Sequence, residues 1–78
     1  MPYIKKYTVE ENQYLIKLGH KIRETRKSNG MVQQEIAALC ESEKASLSRI
    51  EAGKTNSKII TLKKIADALK VPLSGLLN

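Results

Sequence analysis

Cys40 is the only cysteine in a chain of 78 residues, so no disulfide can form within it and no CxxC pair can hold zinc or run redox chemistry. A chain of this length supports one small domain held together by buried side chains alone. Trp and Phe are absent and three Tyr supply all the aromatic area, which leaves an aliphatic core. Hydrophobic residues at 41 % and charged residues at 28 % are the balance of a globular domain rather than a disordered one. The length leaves no room for a two-domain enzyme.

The aliphatic residues are spaced for helices. Thr8 followed three residues later by Glu11 fits a capping box, and Leu15, Leu18 and Ile22 then recur on one helical face. This predicts a first helix from about Val9 to Lys27, stopped by Ser28, Asn29 and Gly30, with Gly30 free to take the left-handed conformation. Met31 to Glu41 shows a narrow apolar face of Ile36, Ala37, Leu39 and Cys40, enough for two to three turns. Ser42 to Ala52 forms a third helix, with Leu47 and Ile50 on one side and Lys44, Ser48 and Arg49 elsewhere, and Gly53 ends it. Lys54 to Lys58 is a polar loop.

Leu62, Ile65, Ala66 and Leu69 mark a fourth helix, and Pro72 opens a short last one carrying Leu73, Leu76 and Leu77, weakened by Gly75. Val71 and the pair Ile59 and Ile60 are strand-like but too short to count. The expected fold is therefore all-α, a compact bundle of five short helices. Residues 1–7 read as a basic tail and 8–78 as the single domain.

Fourteen Lys and Arg against eight Asp and Glu give a net charge of +6, and the isoelectric point is about 9.6. That balance favours a polyanionic partner such as nucleic acid or an acidic membrane face. No apolar run approaches the roughly 20 residues that span a bilayer, and the first residues lack the apolar segment of a secretory signal. The expectation is a cytoplasmic protein that makes no use of a membrane. His20 is the single His; with Cys40 it makes no metal ligand set and no nucleophile and base pair with an orienting third group, and His20 is expected at the surface. No paired carboxylates and no phosphate-cradling glycine loop are present. The sequence thus calls for no metal, no cofactor and no catalysis.

Two helices joined by about four residues are the arrangement of a helix-turn-helix. Met31 to Thr55 resembles the helix-turn-helix of the phage repressor and Cro (Xre) family of DNA-binding proteins, and the resemblance extends over about Leu15 to Leu77. It rests on Ile22, Arg23, Arg26 and Gly30, on Gln33 early in the second helix, and on Ala37 where the two helices cross. It rests also on SerArgIleGluAlaGlyLys at 48 to 54 and LeuLysLysIleAlaAspAlaLeuLysVal at 62 to 71.

What the resemblance implies is a lambda repressor-like domain. Its function would be sequence-specific regulation of transcription, as a repressor or autoregulator bound as a homodimer to a palindromic operator on double-stranded DNA. Lys44, Ala45, Ser46 and Arg49 match the positions that face base edges in the major groove. There Arg49 can donate twice to a guanine, Lys44 can donate to the same edge, and the Ala45 methyl can meet a thymine methyl. Gln33 matches a contact to the DNA backbone, and Ser48, Lys54, Thr55, Asn56 and Lys58 lie where phosphates would run. The family pattern further implies a partly buried ion pair between Arg26 and Glu51 and a buried structural thiol at Cys40. Leu73, Leu76 and Leu77 either cover the core edge or form a dimer surface.

Some residues depart from that pattern. Glu41 stands at the usual turn glycine, so a side chain must accept a positive φ or the turn must change, at a cost of about 1 kcal/mol. Ser42 stands where an apolar residue plugs the turn into the core. Val32 and Glu43 occupy the capping positions of their helices, and Thr25 replaces a common Leu. The rival reading is an antitoxin-like or adaptor module whose partner is a protein contacting the leucines and the basic face.

Overall fold

The structure, a computed structural model, describes residues 7–77. Among them are five α-helices and no strand: α1 (Val9–Ser28), α2 (Gln33–Leu39), α3 (Lys44–Glu51), α4 (Ile59–Leu69) and α5 (Leu73–Leu77). The expected tail lies outside the described residues except for Tyr7. That residue is half-buried and shares a shallow hollow with Glu11, Tyr14, Leu15 and Asn56.

α1 starts where the sequence places it. Thr8 Oγ1 accepts from the Glu11 backbone N–H at 3.0 Å and Glu11 Oε1 accepts from the Thr8 N–H at 2.9 Å, closing the capping box. The helix ends before Gly30, whose φ of +68° turns the chain. Asn29 then donates from Nδ2 to the Leu69 carbonyl at 2.8 Å, tying the ends of α1 and α4 together.

α2 and α3 are both shorter than the apolar pattern predicts. Val32 and Glu43 are extended and neither side chain caps its helix. At α2 the N3 residue makes up half of the loss, because Glu35 Oε1 accepts from the Val32 N–H at 2.9 Å. Between the two helices Glu41 takes a left-handed φ of +53°. The Glu41 N–H reaches the Ala38 carbonyl at 3.2 Å and the Ser42 N–H reaches the Ala37 carbonyl at 2.8 Å, the bond pair that closes a helix over a glycine. The turn is therefore kept without its glycine. Its usual apolar contact is not, and a void of about 10 Å³ remains among Ser42, Ile36, Leu47, Thr61 and their neighbours.

The core is aliphatic: Leu18 and Ile22 of α1, Ile36 of α2, Leu47 and Ile50 of α3, and Leu62, Ile65 and Leu69 of α4 are buried with Cys40. One apolar residue falls on the other side of the boundary from the sequence reading. Leu39 is 62 % exposed, because Ile36, Ala37 and Cys40 fill one arc of α2 and Leu39 projects roughly 100° from the middle of it. Ile59 and Ile60 are neither strand nor core; they form the exposed first turn of α4.

α1 and α3 cross at a residue that the sequence reading passed over. A Cβ on Gly19 would lie 2.6 Å from the Glu51 carbonyl oxygen and would also strike the Ile50 carbonyl. Gly53, at φ +73°, would place a Cβ 2.6 Å from the Ile16 Cα. These two glycines let the backbone at the end of α3 lie directly on α1.

Candidate nucleic-acid interface

α3 is held by one face. Leu47, Ile50 and Glu51 are buried, whereas Lys44, Ala45, Ser48 and Arg49 are exposed and Ser46 is half-buried. Period-3.6 geometry turns Ala45 and Arg49 to the side opposite Leu47, whereas Lys44 lies one turn before Leu47 on the same side and is exposed as the first residue of the helix. Arg49 Nη2 lies 3.5 Å from Ser46 Oγ, at the outer limit of a hydrogen bond. The loop after α3 continues the same polar surface, with Lys54, Asn56 and Lys58 exposed and Thr55 half-buried.

A buried polar cluster fixes where α3 sits. Arg26 donates from Nε to Glu51 Oε2 at 2.8 Å, from Nη2 to Glu51 Oε1 at 3.1 Å and from Nη1 to the Met31 carbonyl at 2.8 Å. The two side chains are 10 % and 3 % exposed. A bidentate guanidinium and carboxylate pair this dry is costly to break from either side. The Glu51 hydrogen bond raises the Arg26 pKa above its ordinary value, so the guanidinium stays charged at any working pH. Gln33 Nε2 also donates to Glu51 Oε1, at 2.9 Å, which brings the start of α2 into the same cluster.

The remaining predicted residues lie apart from this surface. Cys40 is buried, and burial pushes its thiol pKa up. His20 is exposed on α1 and lines an apolar groove of about 390 Å³ between α1 and α5, with Tyr14, Lys17, Lys21 and Leu77. Leu76 corrects the expectation of a surface built from all three leucines. It is 2 % exposed and belongs to the core, because α5 must bury one side to stay attached, while Leu73 and Leu77 are half-buried. No helix is long and apolar enough to cross a membrane among the described residues. No group of three His, Cys, Asp or Glu side chains there is arranged to hold a metal ion.

The model of the helix-turn-helix family HTH_3 matches residues 22–76, more than half of the chain. The chain belongs to the HTH_3 family. HTH_3 membership makes it a DNA-binding transcriptional regulator with double-stranded DNA as its partner. Three structural neighbours carry descriptions of the same kind. One is the restriction-modification controller protein C.AhdI from Aeromonas hydrophila, 29 % identical with a TM-score of 0.78, covering 80 % of this chain and 94 % of that one. A second is an HTH_3 family transcriptional regulator from Vibrio cholerae, 30 % identical with a TM-score of 0.79, over 85 % of this chain and 37 % of that one. A third is the hypothetical transcription factor NHTF from Neisseria, 25 % identical with a TM-score of 0.80, over 97 % and 87 % of the two chains. No curated protein gives a significant match.

Sequence reasoning missed Gly19, Asn29 and the bond from Gln33 to Glu51. Only the first left a usable signal, since a glycine inside a strong helical pattern costs about 1 kcal/mol relative to Ala and points to a close approach.

Proposed function

We propose that this HTH_3 chain is a cytoplasmic repressor or autoregulator that binds a palindromic operator as a homodimer. In this reading α3 enters the major groove, with Arg49 and Lys44 donating to base edges and Ala45 and Ser46 completing the contact. Gln33, Ser48, Lys54, Thr55, Asn56 and Lys58 meet phosphates. The observation that carries the reading is the division of α3, buried through Leu47 and Ile50 and exposed at Lys44, Ala45 and Arg49 beside a cationic loop. Likeness to the C.AhdI controller protein supports a gene-regulatory role. Leu73 and Leu77 supply the dimer contact, and half-sites lie about 34 Å apart so that two α3 helices reach successive grooves.

The test is selection of duplexes from a random pool, followed by footprinting and solution mass. A palindromic footprint on a dimer is expected, and Arg49→Ala should weaken binding by about 1–3 kcal/mol at one base position while the fold is unchanged. Full-strength, equally selective binding by Arg49→Ala would remove its assigned role. A protein-binding, antitoxin-like role is favoured by one observation, the groove between α1 and α5. Salt separates the two: a phosphate-driven complex weakens steeply between about 50 and 200 mM salt, and an apolar interface does not.

A further inference from the structure

The buried ion pair reaches the interface at one atom. Among the described residues Glu51 Oε2 accepts only from Arg26, whereas Oε1 accepts both from Arg26 Nη2 at 3.1 Å and from Gln33 Nε2 at 2.9 Å. We infer that Glu51 is a positioning residue for DNA binding: its Oε1 holds the side-chain amide of Gln33 in one orientation at the start of α2, ready for a phosphate. The inference rests on the reading of α2 and α3 as the DNA interface.

An ionised carboxylate can only accept, so it selects the nitrogen end of an amide that is otherwise free to turn over. Gln33 spends one N–H on Glu51 and keeps the other for a phosphate oxygen. A free surface glutamine loses much of its rotamer freedom on binding; here that loss is taken during folding. The holder is itself held, because Arg26 grips both Glu51 oxygens and donates in turn to the Met31 carbonyl at 2.8 Å. The Arg26 charge also balances Glu51, so the carboxylate adds no net repulsion toward a phosphate close by.

A double-mutant cycle tests this on a duplex that the wild-type chain selects from a random pool, at a temperature where every variant is folded. Gln33→Ala should weaken binding about three- to tenfold. Glu51→Asp keeps the charge beside Arg26 but withdraws the carboxylate by one methylene, and should weaken binding by a similar factor. Adding it to Gln33→Ala should cost little more. Wild-type affinity in folded Glu51→Asp, or losses that multiply in the double variant, would overturn the inference. A variant that does not fold leaves the wild-type chain to decide by side-chain ¹⁵N relaxation. The Gln33 amide should be more ordered without DNA than those of the exposed Gln13 and Gln34; equal mobility would overturn the positioning role. Failure of the wild-type chain to select any duplex would instead overturn the DNA reading, and this inference with it.

Discussion

Glu41 and Ser42 keep a turn whose preferred residues are missing. The left-handed φ at Glu41 costs about 1 kcal/mol, offset by the two backbone bonds that close α2. Ser42 leaves the void beneath the turn unfilled because its side chain is too short to reach it and too polar to be favoured there. Ser42→Val should fill part of that space and raise unfolding stability by about 0.5–1.5 kcal/mol, read from urea denaturation. An unchanged or lower midpoint would mean that the void cannot be reached from position 42. Cys40 makes a pH prediction at the same scale. Burial raises its folded thiol pKa, so below the unfolded thiol range both states carry the proton and stability does not depend on it. As pH rises past about 8.5 the unfolded chain releases its proton first, and stability falls until the folded pKa is passed. The stability difference between wild type and Cys40→Ala should therefore be flat up to about pH 8 and shrink above it. A difference that stays constant to pH 10 would contradict the assigned cause.

Helices in this bundle differ in how closely they approach, and two glycines show it. Gly19 sits where the α3 carbonyls of Ile50 and Glu51 meet α1, and backbone cannot give way as a flexible side chain can. Gly19→Ala should cost about 1–3 kcal/mol or more, despite the higher helix propensity of Ala. Gly75 is the contrasting case, since a Cβ there would meet only the Pro72 ring, at 3.8 Å. Gly75→Ala should stabilise α5 by up to about 1 kcal/mol. Thermal melting of both variants checks the pair, and a stabilised Gly19→Ala would mean that α1 and α3 stand further apart than described. The same crossing brings Glu51 to Arg26, so loosening it should also weaken the ion pair that sets the angle of α3.

For the whole molecule, a charge of +6 on 78 residues makes electrostatics a large part of any DNA complex. Each neutralised phosphate contributes about 0.9 to the slope of log K against log salt. In the proposed complex Lys54→Ala and Lys58→Ala should each flatten that slope by about this amount and weaken all duplexes alike, whereas Arg49→Ala should change which sequence is preferred. Fluorescence anisotropy across a salt series distinguishes them; an unchanged slope in the Lys54 and Lys58 variants would place their charges away from the phosphates.

The sequence alone determined the all-helical content, the aliphatic core, the capping box at Thr8 and the motif that places the chain in the HTH_3 family. All of these depend on residues a few positions apart, whose spacing and turn chemistry can be read along the chain. Tertiary structure decided that Leu76 is inside and Leu39 outside, that α2 and α3 are shorter than their patterns, and that Gly19 sets the crossing of α1 and α3. It also decided that Gln33 answers to Glu51 and that Asn29 holds Leu69. Those outcomes join positions far apart in the chain, and only the packing of whole helices brings them within hydrogen-bond or van der Waals reach.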